Sequence, residues 1–229
     1  MKRIAFALLL ALILLMASQA MGEGEKTICV TASSSITVEA DRAVLNLGVR
    51  TTAEDAAKAS SENAASVEAL RAALEAAGIQ ENDMTTASYY VSPVYDYSGD
   101  METVRGYQVS HVLAVTVRDL EKTGDMIDLA LASGANTCDG VFFQSTQATA
   151  AYDQALVLAL KEGRRKAELI ALSNGKILGE LLNVTENYGN PSVVYTAKAA
   201  VMDSAASGTQ IIAENLNYSA EVTMVFAFQ

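Results

Sequence analysis

The chain has few side chains that could carry nucleophilic catalysis. His111 is its only histidine, and Cys29 and Cys138 are its only cysteines. A thiol beside an imidazole is the core of a cysteine hydrolase, because the imidazole takes the proton of the attacking group. His111 lies beside valine and leucine in a strand-like run, which is typical of a residue in a packed sheet. A hydrolase that uses Cys138 and His111 is therefore the least favoured hypothesis for function.

The same residue types do not form a usual metal site. Zinc sites take several histidine or cysteine ligands at close spacing. The acidic stretches SENAASVE and ENDM lack the regular oxygen-ligand spacing of a calcium loop. We therefore predict no catalytic, cofactor-binding or metal-binding residues, no cofactor and no enzymatic activity.

One basic cluster, KEGRRK at residues 161–166, interrupts an otherwise acidic chain. On a helix its charges spread around the circumference, so pairing with Glu162 and Glu168 on a solvated face is the simplest interpretation. The alternative is that the cluster binds an acidic partner, such as a neighbouring subunit.

The amino terminus has the pattern of a secretory signal. Lys2 and Arg3 precede an apolar run over residues 4–16, and small residues follow at 17–20. The thirteen apolar residues are fewer than the roughly 20 that a bilayer span needs. We predict a cleaved signal over residues 1–20 and export to the periplasm, the cell envelope or the extracellular space. An uncleaved anchor is the alternative.

Export leaves the state of the two cysteines open. Cys29 and Cys138 lie far apart in sequence, each in an apolar, strand-like context. Exported proteins permit disulfides, so a bridge and two buried free thiols both remain as interpretations.

The charge excludes some partners. The formal net charge is −11, and loss of residues 1–20 leaves 14 basic against 27 acidic residues, a charge of −13. Such a surface repels nucleic acid and anionic lipid. We predict no nucleic-acid partner and at most peripheral membrane association.

The stretch SYYVSPVYDY, residues 88–97, holds four of the nine tyrosines. Strict alternation in a strand places Tyr89, Tyr95 and Tyr97 on one face, where aromatic pairs stabilise a sheet. Pro93 cannot donate to a neighbouring strand, which predicts a sheet edge or a bulge. We interpret the rings as packing material. The alternative is a ligand-binding groove lined by Tyr89, Tyr95, Tyr97 and Tyr107.

The order of elements predicts an α+β fold. Thr52 and Asp55 resemble a capping box before a long helix that ends at Gly78. A short helix ends at Gly134, and a second long helix covers about residues 148–173. Hairpin-forming strands lie between them. We predict a mostly antiparallel sheet with all three helices on one face. Residues 21–229 form one domain in this interpretation, with a flexible loop over 189–211.

Several blocks together resemble the SIMPL-domain family of bacterial exported proteins. They are the strand DRAVLNLGVR, the alanine-rich helix with Asn63, the GIQENDMTT turn, the P-V-Y-D-Y ending, and the blocks that start at Gly106 and Ala155. The resemblance covers nearly all of residues 26–229. It implies an α+β fold without known enzymatic activity, many-subunit assemblies in some members and a link to oxidative-stress defence in others. The chain departs from the family pattern at Gly163 and in the loop 189–211.

These observations predict a non-enzymatic, exported envelope protein of the SIMPL type. We expect it to act through self-association as a homo-oligomer or through contacts with other envelope proteins. The alternative is a small-ligand-binding protein that uses the tyrosine-lined groove.

Overall fold

The structure is a computed structural model that describes residues 26–97, 103–187, 208–213 and 215–228. The predicted signal at residues 1–20 lies outside the described residues, as does most of the predicted loop 189–211. Residues 208–211 of that loop are described, and they form neither helix nor strand. No helix in the described ranges is long and apolar enough to cross a membrane.

Strands and helices alternate irregularly along the described chain. The strands are β1 (Thr27–Glu39), β2 (Arg42–Ala53), β3 (Met84–Asp96), β4 (Thr103–Val117), β5 (Thr137–Gln144), β6 (Leu178–Glu186) and β7 (Asn215–Phe228). The α-helices are α1 (Ala56–Ala76), α2 (Thr123–Ala132) and α3 (Ala148–Ser173), and short 3₁₀ turns cover Glu81–Asp83 and Leu120–Lys122. The predicted α+β class with antiparallel pairing is confirmed.

The strands lie in two sheets, which corrects the prediction of a single sheet with all helices on one face. One sheet has the order β3-β4-β2-β5 and the other has the order β1-β7-β6. Helices α1 and α2 contact strands of the four-stranded sheet. Buried residues of α3 pack with residues of β1 and β7 instead. The sequence could not separate the sheets because partners such as β1 and β7 are distant along the chain.

The chain divides into two compact units. Among the described residues, the smaller unit comprises 26–34, 156–187 and 220–228, and the larger unit comprises 35–97, 103–155, 208–213 and 215–219. The single domain over residues 21–229 stays a prediction.

Alternate residues of β2 form the base of the core in the larger unit. Leu45, Leu47 and Val49 are buried, as the strand alternation predicted. One face of α1 covers this core, through Ala59, Asn63, Val67, Leu70 and Leu74. These positions recur at steps of three and four, as one face of a helix requires. That face packs on the alternate residues of β2 that are buried.

The start of α1 differs from the prediction. Asp55 is the N-cap residue, and its carboxylate accepts a hydrogen bond of 2.7 Å from the backbone N–H of Lys58. Thr52 lies within β2 and pairs with Gln108 of β4. The strand therefore continues through Thr52, because its ladder with β4 competes with a helical start there.

The core of the smaller unit uses small side chains on the helix. Ala159, Ala167 and Ala171 of α3 pack against Met224 and Phe226 of β7. Gly163 lies on the same helix face, where an added Cβ would come within 2.6 Å of the Met224 Sδ atom. Glycine at 163 thus leaves room for the methionine. Ile170, which the helical periodicity places in the same stripe, is 43% exposed.

β3 is an edge strand of the four-stranded sheet, as Pro93 predicted. Its tyrosines are exposed, which corrects their interpretation as packing material: Tyr90 and Tyr97 are 67% and 74% accessible. The hydroxyl of Tyr89 lies 3.0 Å from that of Ser60, in the first turns of α1. Beyond Tyr89, β3 continues past the amino-terminal end of α1, so α1 does not cover the later tyrosines of the strand.

Candidate functional site

The larger unit contains a cleft of about 570 Å³ beside α1, called here the α1 cleft. The helix lines it with residues at steps of three and four, namely Ser60, Asn63, Ala64, Val67, Glu68 and Arg71. The remaining wall comes from the first 3₁₀ turn and from β3 and β4, through Glu81, Asn82, Met84, Thr85, Thr86, Tyr89, His111 and Leu113. One helix side thus faces the edge of a sheet across a mixed polar and apolar space.

His111 occupies the sheet wall of the α1 cleft. It lies opposite Tyr89 of β3 and Val49 of β2 in the strand register. Its Nε2 atom is 3.0 Å from Thr86 Oγ1, and either atom donates according to the tautomer. The Tyr89 ring meets the imidazole edge to face, with centroids 5.3 Å apart. The imidazole therefore links two neighbouring strands.

The charge state of His111 follows from its surroundings. Burial lowers the pKa of His111 below its ordinary value of 6.5, so the ring is neutral at pH 7. The hydroxyl of Thr86 is the hydrogen-bond partner of this ring.

Asn63 is the buried polar residue in the helix wall of the α1 cleft. Only 1% of its surface is exposed. Its Nδ2 atom donates a hydrogen bond of 2.8 Å to the carbonyl oxygen of Val49. Its Oδ1 atom is also buried and has no hydrogen-bond partner. An unsatisfied buried oxygen is uncommon and costs free energy.

The charged groups of the α1 cleft leave an excess of negative charge. Glu68 and Glu81 are acidic, and Arg71 is the basic residue of the lining. The guanidinium of Arg71 lies 3.7 Å from the carboxylate of Glu81 and 3.9 Å from that of Glu75. Since the arginine is shared between two carboxylates, the cleft favours cations over anions.

The pairing of Cys138 with His111, which is the least favoured hypothesis from the sequence, is not formed. β4 and β5 lie on opposite sides of β2, so two strand spacings of roughly 5 Å separate His111 from Cys138. In addition, Cys138 lies opposite Leu47 whereas His111 lies opposite Val49. The two residues are therefore about 10 Å apart or more, beyond hydrogen-bond reach.

The four tyrosines of the groove considered as the alternative do not converge on one space. Tyr89 meets His111, whereas the rings of Tyr95 and Tyr97 lie together with centroids 6.3 Å apart. Tyr95 lies six positions after Tyr89 along the strand, about 20 Å in extended chain. Tyr107, which is in β4, lies opposite Pro93 of β3. Of the four, only Tyr89 lines the α1 cleft.

Both cysteines are free, and both are exposed. The sequence left open a disulfide between them or two buried thiols, and the structure has neither arrangement. The burial expected from the apolar sequence contexts fails because both strands place these positions at the surface.

The basic cluster on α3 is paired as predicted. Arg164 binds Glu168 at 3.1 Å and Arg165 binds Glu162 at 2.6 Å, each within one helical turn. Lys166 instead donates to the carbonyl oxygen of Thr31 at 3.1 Å. The intrahelical pairs are confirmed, and the proposed acidic partner stays a prediction.

The sequence indicates the separate parts of the α1 cleft but not the cleft. Asn63 falls within an otherwise apolar helical stripe, which is the signal that could have singled it out. His111 is considered from the sequence only with Cys138. No local pattern relates Thr86, Tyr89 and His111, because the strand register alone brings them together.

Comparisons with known proteins agree on one family. The SIMPL family model, described as a protein of unknown function (DUF541), matches residues 28–226. The 26 kDa periplasmic immunogenic protein of Brucella melitensis is 27% identical over 208 residues, covering 87% of this chain and 83% of that protein. The uncharacterized protein YggE of Escherichia coli strain K12 is 28% identical over 205 residues, covering 88% and 83%.

A solved structure, that of AtUAH in complex with glyoxylate, covers 60% of this chain at 14% identity with a TM-score of 0.23. That score is too low to establish a shared fold. The family model, in contrast, takes in both sheets and all three described helices. The chain therefore belongs to the SIMPL family.

Proposed function

We propose that this protein is exported to the cell envelope and acts there without catalysis, by associating with further copies of itself. Export is supported by the signal-like pattern at residues 1–20 and by the name of the Brucella relative, a periplasmic protein. The proposed association rests on one surface, the edge strand β6.

β6 lies at the end of the sheet order β1-β7-β6 among the described strands. Seven of its nine residues are exposed, including Leu181 at 44%, Leu182 at 41% and Val184 at 40%. An edge strand offers unpaired backbone N–H and C=O groups. Its exposed apolar side chains also make burial of the strand against a partner favourable. Strand addition by a partner satisfies both needs.

A second copy of the chain fits this edge through its apolar side chains. Antiparallel pairing of two β6 strands around Leu181 places Leu178 of one copy opposite Val184 of the other. Apolar pairs directly across a ladder stabilise it. A two-fold arrangement of this kind makes each contact twice.

Light scattering of the exported, purified protein tests the proposal, with and without reductant. We expect a mass of at least two chains that reductant leaves unchanged. Leu181→Lys with Val184→Lys should shift the mass towards one chain, because lysine on an edge opposes strand addition and like charges at position 181 would meet directly across the ladder. Leu131→Lys on α2, where the leucine is 47% exposed, is the matched control. A monomeric mass for the unaltered protein at all concentrations contradicts the proposal.

The two exposed thiols are the groups through which the oxidative-stress link of the family would first act on this chain. An increase in mass on addition of peroxide that reductant reverses would support such a role. It would also show that association through a disulfide is distinct from association through β6.

A further inference from the structure

We propose that the α1 cleft binds a small organic ammonium ion, with the ammonium group near Glu68 and Glu81 and an apolar body against Val67, Met84 and Leu113. This inference is separate from the association through β6, which lies in the smaller unit.

The size of the α1 cleft suits a small molecule. Its volume of about 570 Å³ falls within the roughly 300–1,000 Å³ of ordinary ligand sites. Its apolar residues come from both walls, with Val67 on the helix and Met84 and Leu113 on the strands. Val67, Met84 and Leu113 are held by the core of the larger unit, so the apolar surface is formed before a ligand arrives.

The charge of the α1 cleft selects the sign of the ligand. Glu68 and Glu81 outnumber Arg71, and Arg71 already lies within 4 Å of two carboxylates. His111 is neutral at pH 7 because burial lowers its pKa. An anion would therefore meet uncompensated carboxylates, whereas an ammonium ion would gain from them.

The hydrogen-bonding groups of the lining favour a donor. An ammonium group has donors and no acceptor, and the ionised carboxylates of Glu68 and Glu81 only accept. Tyr89 adds an aromatic ring that is 46% exposed, and such rings attract cations to their faces.

Calorimetric titration of the exported, purified protein with benzylamine, benzyl alcohol and benzoate at pH 7 tests the inference. The three probes share a ring and differ in charge. We expect benzylamine to bind at least about tenfold more tightly than benzyl alcohol, and benzoate to bind more weakly than both. Amide chemical shifts of Ser60, Thr86 and His111 should move in the benzylamine titration.

Charge variants place the ligand within the cleft. Glu68→Gln and Glu81→Gln should each weaken benzylamine binding by about threefold, since single exposed charge pairs contribute little. Glu62→Gln, on the same helix but outside the lining, should leave it unchanged. Urea denaturation of each variant shows that the fold is retained.

Three results would overturn the inference. They are no binding of benzylamine, binding of benzoate as tight as that of benzylamine, and unchanged benzylamine binding in both Glu68→Gln and Glu81→Gln. Light scattering on the same samples keeps this outcome distinguishable from a failure of the association through β6.

Discussion

Asn63 of α1 donates a hydrogen bond of 2.8 Å to the backbone carbonyl oxygen of Val49 in β2. This bond crosses the core of the larger unit and fixes one helix position against the central strands. The same side chain lines the α1 cleft, so stability and the candidate binding site share a residue.

Asn63→Ala should therefore destabilise the protein by about 1–3 kcal/mol, because the substitution removes the donor to a buried carbonyl. The free energy of unfolding from urea denaturation measures the change. Ser66→Ala, which removes a hydroxyl of α1 that binds within its own helix, is the control. A loss below about 0.5 kcal/mol for Asn63→Ala would show that water replaces the bond at no cost.

A second prediction concerns acid. The side-chain hydroxyl and the backbone N–H of Thr146 donate to Asp41, and with a smaller contribution from Arg42 they lower the pKa of Asp41 from 3.8 to about 2. A carboxyl whose pKa is lower in the folded state stabilises the fold above its unfolded pKa. That contribution is lost as the pH falls from about 4 towards 2.

Thr146→Val should flatten this part of the pH dependence, because the side-chain donor is lost while the backbone donor remains. Urea midpoints at pH 7, 4, 3 and 2.5 measure the slope. Thr52→Val, at an exposed position of β2, should keep the unaltered slope. Identical slopes for the Thr146 variant and the unaltered protein would argue against the Asp41 contact.

Gly124 supplies a third prediction. Its α-carbon lies so near the returning segment 208–213 that an added Cβ would come within 1.7 Å of the Thr209 carbonyl oxygen. Thr209 is held there by Asp128, which accepts from its backbone N–H at 3.1 Å and from its hydroxyl at 2.6 Å. Backbone obstructs the new methyl group, so one of the two segments must move.

We expect Gly124→Ala to cost about 1–3 kcal/mol of unfolding free energy, as overpacking commonly does. Gly163→Ala is the comparison, because its Cβ meets the Met224 side chain and not backbone. It should cost less, since the end of a flexible methionine side chain moves aside more readily than backbone. A larger loss at Gly163 than at Gly124 in urea denaturation would reverse this ranking.

The fourth prediction concerns the thiols. Cys29 and Cys138 are both exposed and free, so iodoacetamide should label both in the folded protein. Mass spectrometry of the intact chain should show two adducts, and Cys29→Ser or Cys138→Ser should each leave one. A single adduct that becomes two only after unfolding would mean that one thiol is covered.

The elements themselves could largely be predicted, because their signals are local. The stripe of Ala59, Val67 and Leu74 recurs with helical periodicity, and each of these residues is buried. Leu45 and Leu47 of β2 alternate with partly exposed neighbours, as one covered sheet face requires. Pro93 likewise identified an edge strand from its missing N–H group.

Which faces are covered could not be predicted. Tyr89 and Tyr95 carry the same alternation signal as buried strand residues, yet both are exposed because α1 begins beside Tyr89 and the strand runs on beyond it. The α1 cleft escaped prediction for a related reason. Thr86 and His111 are 25 residues apart and meet only through the register of β3 and β4.

The sequence by itself determined the α+β composition and the helical and strand faces, which depend on periodicity, capping and turn residues that act over a few neighbouring positions. It also determined the family, through the match of whole sequence blocks to the SIMPL family. Only the tertiary structure decided that the strands divide into two sheets, that the tyrosines of β3 face solvent, and that Asn63, Tyr89 and His111 line one cleft. Those outcomes depend on pairing between distant segments and on where a helix ends over a sheet, neither of which leaves a local pattern.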